Sequence, residues 1–263
     1  GNPGNNTPLY LTIQPDAAGI GGDVRDFLAI RRQNGWEIGA SVKWNHEALK
    51  HSRLSPTIDF GESWLDIPCT QQYWNDVRPI FSDMENIRNA DPRTLWRDIR
   101  EITPDRFYVP LLNAFMDELQ RLYDTHGQVV PERLVRYMLG RRDFYKIIAY
   151  PNRRVTKLQG FSFEGTLASP AEGVRPIQNV RTLRLPQLMH NLYWKPNSRT
   201  TVLMAFDEGW TLSARLHTPD GRVGNSLKFD VQLEGNPDRL YVHEDAWANS
   251  FDIETIDLIE FGG

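Results

Sequence analysis

The alternation of apolar and polar residues predicts a β-hairpin near the start of the chain. Residues 24–30 and 37–44 are rich in β-branched and aromatic side chains, as strands are. Asn34 and Gly35 between them are typical of a two-residue turn, because both central residues of that turn adopt positive φ. A two-residue turn would place Asp26 directly opposite Lys43, whereas a looser turn would place it opposite Ser41 and keep both residues in the site. An acid and a lysine are therefore expected to meet at the open end of the hairpin.

This register divides the hairpin into two faces, since side chains alternate along a strand. One face is apolar and is expected to pack in the core, with Phe27, Ala29, Ile38, Ala40 and Val42. The other face carries Asp26, Ser41 and Lys43 and is expected to be free for chemistry. Glu37 falls opposite Arg32 in the same register, which predicts a cross-strand ion pair between them.

The periodicity changes after residue 44. Asn45 is typical of an N-cap, here for a short helix over residues 46–51 that Ser55-Pro56 would close. Residues 66–149 have a mainly helical pattern. Helices are predicted over residues 74–89, from Asp91-Pro92, and from Thr103-Pro104 to Gly127. Strands are predicted over residues 9–14, 156–166, 201–206, 210–216, 227–233 and 239–243.

Length and pattern together indicate an α/β protein. The chain has 263 residues, of which 40% are hydrophobic, and this is enough for a single domain over residues 1–263. We divide that domain into residues 7–65 with the hairpin and the following helix, residues 66–150 as a mainly helical insert, and residues 151–263 as a β-rich part.

Composition narrows the class of protein. Cys69 is the one cysteine, which argues for a reducing compartment and against a disulfide framework or a zinc ribbon. The longest apolar run, near residues 108–115, is far too short to span a bilayer. A cytoplasmic protein with no membrane segment is expected. Since Met84 is the first methionine, the numbering is expected to begin inside a longer gene product, with a disordered leader at residues 1–6 and a frayed end at Gly262-Gly263.

The overall charge does not indicate a nucleic-acid partner. The net charge is -4, and an excess of acid repels phosphate. Bases nevertheless outnumber acids locally, with Asp143 as the single acid among Arg133, Arg136, Arg141, Arg142, Lys146, Arg153, Arg154 and Lys157. Two interpretations of this stretch stay open, a solvated helical face and a surface that follows phosphates.

Asp26 and Lys43 meet the minimum for phosphodiester hydrolysis. That reaction needs a divalent cation held by carboxylates and a group that activates water or stabilises developing charge. The hairpin alone does not exclude a plain cross-strand salt bridge. Donors that suit phosphate contacts follow Lys43 closely and favour the nuclease interpretation: Asn45, His46, Lys50, His51, Ser52 and Arg53.

These residues carry a resemblance to a known family. The hairpin resembles the PD-(D/E)XK motif of nucleases, with an acid on one strand and an acid-x-lysine on the next. More specifically, four ordered blocks are similar to the HaeIII family of type II restriction endonucleases. They comprise Gly22-Asp-Val-Arg-Asp26 with Trp36-Glu-Ile-Gly39, Ser41-Val-Lys-Trp-Asn-His46 and Leu49-Lys-His-Ser-Arg-Leu-Ser55; Phe144-Tyr-Lys-Ile-Ile148; residues 161–167; and Thr201-Val-Leu-Met-Ala-Phe-Asp-Glu-Gly-Trp210 with Ser213-Ala-Arg-Leu-His217 and Ser226-Leu-Lys-Phe-Asp230.

The resemblance implies Mg²⁺-dependent, sequence-specific cleavage of double-stranded DNA by paired subunits at a short palindromic site, and well-known members of the family cut within GGCC. It implies a restriction-endonuclease-like PD-(D/E)XK core, a mixed central sheet flanked by helices, with a helical insertion and a C-terminal β-rich part. In this scheme Asp26 holds the metal and Lys43 positions or deprotonates the attacking water. Expected DNA contacts come from the donors after Lys43 and from Arg141, Arg142, Arg215, His217 and Lys228, with Arg215 able to bond guanine through two N–H groups.

The chain departs from the nuclease pattern at Ser41, where an acid is expected two residues before Lys43. A hydroxyl is a poor Mg²⁺ ligand compared with a carboxylate. Glu37 lies roughly 13 Å along the strand from Ser41, too far to share its metal. Asp23 and Glu47 are nearer, and Asp23 is the expected second metal ligand, because Gly22 before it allows the backbone to bend.

Two alternatives remain at this point. A DNA-binding protein could retain the nuclease scaffold without hydrolysis, as the serine at position 41 suggests. A histidine-metal nuclease built on His46 and His51 conflicts with the lack of a second histidine pair.

Overall fold

The computed structural model describes residues 8–15, 23–32, 35–168, 180–218 and 221–247. The leader at residues 1–6, the turn residue Asn34, the final glycines and the side chain of His51 lie outside the described residues. The helices are α1 (Phe60–Leu65), α2 (Gln71–Ala90), α3 (Val109–His126) and α4 (Val129–Leu139). The strands are β1 (Tyr10–Ile13), β2 (Phe27–Arg31), β3 (Trp36–Trp44), β4 (Ala48–Leu54), β5 (Phe144–Tyr150), β6 (Val155–Phe161), β7 (Met189–Trp194), β8 (Thr201–Phe206), β9 (Thr211–His217), β10 (Leu227–Leu233) and β11 (Tyr241–Ala246).

Two sheets form the framework of the described residues. The first has the strand order β1-β2-β3-β5-β6-β11, and the second has the order β4-β10-β9-β8-β7. The first sheet is mixed, because β3 and β5 are parallel while its other neighbours are antiparallel. The chain passes from β3 in the first sheet directly to β4 in the second. The segment after Lys43 therefore joins the two sheets.

The helices pack against the second sheet through aromatic side chains. Phe115 of α3 lies between Phe60 of α1 and Phe229 of β10, with ring centroids 5.0 Å away on each side. Trp64 of α1 stacks on Tyr137 of α4 at 5.4 Å. Such pairs add to the free energy gained by burying the rings. They fix α1 and α4 beside the strand that follows Lys43.

The helical region is confirmed in part. The helix that follows Thr103-Pro104 is confirmed, as is its end at Gly127, which has a φ of 61°. The helix from Asp91-Pro92 is wrong, because the Asp91 carboxylate accepts from the backbone N–H of Arg93 at 2.9 Å and closes a turn instead. A short 3₁₀ helix, Trp96–Ile99, follows it. The strand β7 and the helix α1 were not predicted, and β5 occupies the end of the predicted helical insert.

The helix predicted over residues 46–51 is also wrong. Asn45 adopts a φ of 58°, which ends β3 in a turn. The chain then pairs as β4 with β10, from Ala48 opposite Gln232 to Leu54 opposite Leu227. A strand partner far along the sequence overrides the local helical pattern.

The hairpin is confirmed, with the register of the looser turn and not that of the two-residue turn. Trp36 lies opposite Arg31 rather than Gln33, so four residues instead of two separate the paired positions in the sequence. Phe27 pairs with Ala40, and Asp26 consequently lies beside Ser41 rather than opposite Lys43. The shift of two residues keeps every side chain on its predicted face.

The assignment of the core face is wrong. Ala40 is buried as expected, but Val42 on the same face is 47% exposed. The buried face of the first sheet is the one that carries Ser41 and Lys43, because the buried side chains of Phe144, Ile148 and Phe161 on β5 and β6 lie on it. The candidate chemistry therefore lies on the inner face of the sheet.

Candidate active site

Asp26 lies just before β2, and three groups of β3 approach one oxygen of its carboxylate. Ser41 Oγ donates to Asp26 Oδ2 at 3.2 Å, the backbone N–H of Val42 donates to it at 2.5 Å, and Lys43 Nζ lies 3.7 Å away. The Asp26 side chain is 48% exposed and that of Lys43 is 22% exposed. The acid, the serine and the lysine named from the sequence thus lie together, and all three contacts are made to Asp26 Oδ2.

Arg25 holds the loop that carries Asp23 and Asp26. Its buried guanidinium donates to both oxygens of Asp23 at 2.7 Å and, through Nη1, to Glu37. Gly39 of β3 makes room for this side chain, since a Cβ there would lie 2.0 Å from Arg25 Cδ. The predicted ion pair between Glu37 and Arg32 is wrong. In the observed register Glu37 lies opposite Ile30, and its carboxylate binds the buried Arg25 instead.

Asp23 lines the same cleft as Asp26, but the charge of its carboxylate is already balanced by Arg25. Burial works to raise its pKa, yet the hydrogen bonds and charge of Arg25 outweigh burial and lower the pKa overall, with Arg142 acting in the same direction. Gln14 Nε2 also donates to it at 3.2 Å. Metal binding by Asp23 would therefore require its carboxylate to be shared with Arg25.

Glu47 lies in the turn between β3 and β4, and its carboxylate also binds protein groups. It accepts from the hydroxyl of Tyr150 and from Lys157 Nζ at 3.1 and 3.2 Å. Burial works to raise its pKa, but these bonds lower it overall. Glu47, the other candidate for a metal ligand beside Asp23, is thus bound to Tyr150 of β5 and Lys157 of β6.

A cleft of about 1110 Å³ opens beside Asp26 and Lys43. Four residues predicted to contact DNA line it: Lys50, Ser52, Arg53 and Lys228. Lys50 Nζ lies 3.7 Å from the centroid of the Tyr137 ring and donates to the Tyr137 carbonyl oxygen at 3.2 Å. Burial lowers the pKa of Lys50 to about 8. The cleft is a concave, basic surface with the acid–lysine pair on its wall.

The second sheet extends this basic face. Lys228 of β10 lies between Arg53 of β4 and His217 of β9 in the strand register. Arg215 is on the same face one row away, with its side chain 56% exposed. Its Nη2 donates to Oδ2 of the buried Asp230 at 3.1 Å, so one end of the guanidinium is fixed while the other remains exposed.

The other predicted DNA contacts are not among the residues that line the cleft. Asn45 and His46 are exposed in the turn beyond Lys43, and Arg141 and Arg142 are exposed between α4 and β5. Arg141 lines a neighbouring pocket of about 480 Å³ that shares Lys50, Trp64 and Tyr137 with the cleft. The backbone of His51 pairs with Asp230.

The basic stretch at residues 133–157 does not form one helical face. It runs through α4, β5 and β6, and several of its cations already have protein partners. Arg133 Nη1 donates to the carbonyl oxygen of Leu65 at 2.6 Å, Arg136 pairs with Glu164 at 3.3 Å, and Lys157 binds Glu47. The interpretation as a solvated helical face is therefore wrong, and Arg141 and Arg142 are its members that remain exposed beside the cleft.

Sequence reasoning missed the importance of Arg25, Lys146 and Asp230. Arg25 lies in a loop, where no periodicity signals burial. Asp230 is on a buried strand with apolar neighbours, and its partner Arg215 is fifteen residues away. Lys146 did carry a signal. It lies two residues from the apolar Phe144 and two from the apolar Ile148, so it shares their inward face of β5.

Comparisons with known proteins show the family to which this chain belongs. The family model of the HaeIII restriction endonuclease matches residues 2–237. The type II restriction enzyme HaeIII of Haemophilus aegyptius is 40% identical over 242 residues, which are 92% of this chain and 75% of that enzyme. The chain belongs to the HaeIII restriction endonuclease family. The resemblance found in the sequence is confirmed, and no solved structure matches the chain.

Membership of the HaeIII family supports a nuclease that binds double-stranded DNA. The mixed α/β architecture, with two sheets and several helices, is consistent with a restriction-endonuclease-like fold. Within the described ranges, no helix is both long and apolar enough to cross a membrane. The same residues contain no group of three or more His, Cys, Asp or Glu side chains that could hold a metal ion.

Proposed function

We propose that this HaeIII-family protein is a Mg²⁺-dependent type II restriction endonuclease that hydrolyses double-stranded DNA at a short palindromic site. The observation that carries the proposal is the Asp26–Lys43 pair, 3.7 Å apart, on the wall of a cleft lined with Lys50, Arg53 and Lys228. An acid and a lysine beside a basic cleft are what hydrolysis of a phosphodiester requires. In this proposal the core is of the PD-(D/E)XK type, with Ser41 at the position where the second acid is expected.

The donor set fits a magnesium ion with few protein ligands. Mg²⁺ keeps several waters and is commonly held by one or two carboxylates together with substrate phosphates. Asp26 supplies a half-exposed carboxylate whose known contacts all fall on Oδ2, so Oδ1 would hold the cation. Asp23 would serve as a second ligand only by sharing its oxygens with Arg25. The bound ion would polarise the scissile phosphate and bound water.

The protein groups around Asp26 have separate tasks in this scheme. Ser41 and the Val42 N–H hold Oδ2 and so orient the carboxylate. Lys43 would position the attacking water and stabilise the charge that develops on the phosphate. Lys50, Arg53 and Lys228 would bind flanking phosphates and set the position of the duplex along the cleft.

A palindromic site matches a protein with two-fold symmetry, so we expect a homodimer in which each subunit cuts one strand. The resemblance to the family makes GGCC the first sequence to test. Specificity depends on base-contacting side chains rather than on the scaffold, and the exposed end of Arg215 is suited to bond the O6 and N7 atoms of guanine.

Digestion of plasmid DNA tests the proposal. The protein is incubated with mixed plasmids and MgCl₂, and we expect discrete fragments on a gel. The alternative, favoured by the serine at position 41, is a non-cleaving DNA-binding protein, and gel retardation without fragments would support it.

Arg215→Lys is expected to relax specificity while keeping the positive charge. A lysine cannot make the paired bonds that a guanidinium makes to guanine, and loss of such a pair reduces discrimination by about 10- to 100-fold. The measurement compares affinities for a cognate duplex and for one with a single substituted guanine, in Ca²⁺ to prevent cleavage. Affinity for a duplex without the site should not change; unchanged discrimination would contradict the role of Arg215.

The pH dependence of DNA binding should reveal Lys50. Its pKa of about 8 means that the side chain is a cation below that pH and loses its charge above it. Affinity should therefore fall by about tenfold as the pH rises from 7 to 9. Lys50→Arg keeps a permanent charge and serves as the matched control, with a flatter profile expected. Equal profiles for the two proteins would exclude Lys50 as a phosphate ligand.

A further inference from the structure

Lys146 of β5 lies in the same cross-strand row of side chains as Ser41 and Asp26. In the parallel register of β3 and β5 it is directly opposite Ser41, and on its other side it is opposite Gln159 of β6. Ser41 in turn donates to Asp26. A row on the inner face of the first sheet thus runs from Asp26 through Ser41 and Lys146 to Gln159.

The Lys146 side chain is buried to a degree that is rare for lysine. It is 2% exposed, and lysine is almost never fully buried unless paired. Its Nζ donates to the main-chain carbonyl oxygen of Glu47 at 2.5 Å. Burial lowers the pKa of Lys146 to about 7; the charges around it are Glu47 of the turn, Lys43 of β3, Lys157 of β6 and Asp230 of β10.

An apolar side chain would fill this space at a lower cost in stability. Taking an ammonium group out of water costs several kcal/mol even after relaxation, about the amount that a well-packed apolar replacement often recovers. A lysine at this position therefore calls for a role beyond packing. Buried titratable groups of this kind occur preferentially at functional sites.

The Glu47 carbonyl connects Lys146 to Lys43. Lys43 is the penultimate residue of β3. The main chain of the turn that follows it is held to β5 by two bonds, besides the bond from the Tyr150 hydroxyl to the Glu47 carboxylate. The backbone N–H of Asn45 donates to the carbonyl oxygen of Ala149 at 2.8 Å, and Lys146 Nζ donates to that of Glu47. Asn45 itself has a φ of 58°, so the turn requires support from its surroundings.

We propose that Lys146 is a positioning residue of the catalytic centre, which holds the β3–β4 turn through the Glu47 carbonyl and so keeps Lys43 directed at Asp26. The inference rests on the proposed nuclease function and adds a residue from the neighbouring strand to its site. Lys146 does not touch DNA, because its side chain is buried. Its effect is expected on the rate of the chemical step and not on DNA affinity.

The test compares two substitutions of Lys146 in single-turnover cleavage. Lys146→Met removes the donor and is expected to lower the rate about 100-fold, as small misplacements of catalytic groups do. Lys146→Gln keeps an N–H donor, one bond closer to the backbone than Nζ, and is expected to restore part of the rate relative to Lys146→Met. Affinity measured in Ca²⁺ should remain that of the wild type for both. Lys195→Met is the control, since Lys195 pairs with Glu234 at 2.6 Å and does not line the cleft.

Equal single-turnover rates for the wild type and Lys146→Met would overturn the role of Lys146. A rate lost in both variants together with DNA affinity would also overturn it, because that result indicates general damage to the fold. If Lys146→Met does not fold, the comparison of Lys146→Gln with the wild type decides the matter, and a rate lost in that folded variant overturns the hydrogen-bond role. A wild-type protein that cuts no DNA would instead overturn the proposed function.

Discussion

Lys43→Ala is expected to lower the rate of DNA cleavage by about 10²- to 10⁴-fold, the range for loss of a group that moves a proton or stabilises charge at the reacting centre. Site-specific binding should remain, because the flanking phosphates are bound by other cations of the cleft. Cleavage is measured as the single-turnover rate on a short duplex in Mg²⁺, and binding as the dissociation constant in Ca²⁺.

Ser41→Ala serves as the matched comparison for this substitution. It removes a neighbouring side chain that donates to the same oxygen of Asp26 at 3.2 Å, while Val42 N–H still holds that oxygen. We expect a smaller loss of rate than for Lys43→Ala. A Lys43→Ala protein with wild-type activity would remove the acid–lysine mechanism.

Arg25→Met is expected to reduce both stability and cleavage. The substitution leaves the carboxylates of Asp23 and Glu37 without the cation between them, and breaking a buried pair in this way costs about 3–5 kcal/mol. Since the two carboxylates are 22% and 36% exposed, solvent screens the pair and we expect a smaller loss, about 2–3 kcal/mol. The free energy of unfolding is measured by urea denaturation.

The control for Arg25→Met is Arg93→Met. Arg93 also donates to an aspartate two residues before it, Asp91, but its side chain is 87% exposed, and exposed pairs contribute little to stability. Cleavage by Arg25→Met should fall further than stability explains, because the loop that presents Asp26 loses its anchor. An Arg25→Met protein as stable and active as the control would show that the loop does not depend on Arg25.

Local sequence signals were sufficient to predict the hairpin and the residues that meet at its open end. Alternation and the Asn34-Gly35 pair predicted β2 and β3, and the types of residue at positions 26, 41 and 43 predicted the group that the structure brings together. The two-residue register was wrong because hairpin loops of three to five residues also contain a glycine, so that Gly35 did not fix the length of the loop. The prediction that Asp26 and Lys43 lie close together did not depend on this error, because a shift of two residues leaves each side chain on the same face of the sheet.

What the sequence could not give depends on contacts between distant segments. The helix predicted at residues 46–51 became β4 because β10, some 180 positions later, pairs with it. The buried face of the hairpin depends on β5 and β6, which lie beyond the helices. Glu37 was assigned to Arg32 because nothing in a loop sequence indicates that Arg25 is buried between two carboxylates.

Sequencing the ends of the fragments from a plasmid digest tests the central claim most directly. The wild type and Lys43→Ala are incubated in parallel with the same plasmid and MgCl₂. We expect the wild-type ends to fall within one short palindromic sequence and the variant to give no fragments in the same time. Intact plasmid with both proteins, or the same fragments from both, would contradict an endonuclease that depends on Asp26 and Lys43.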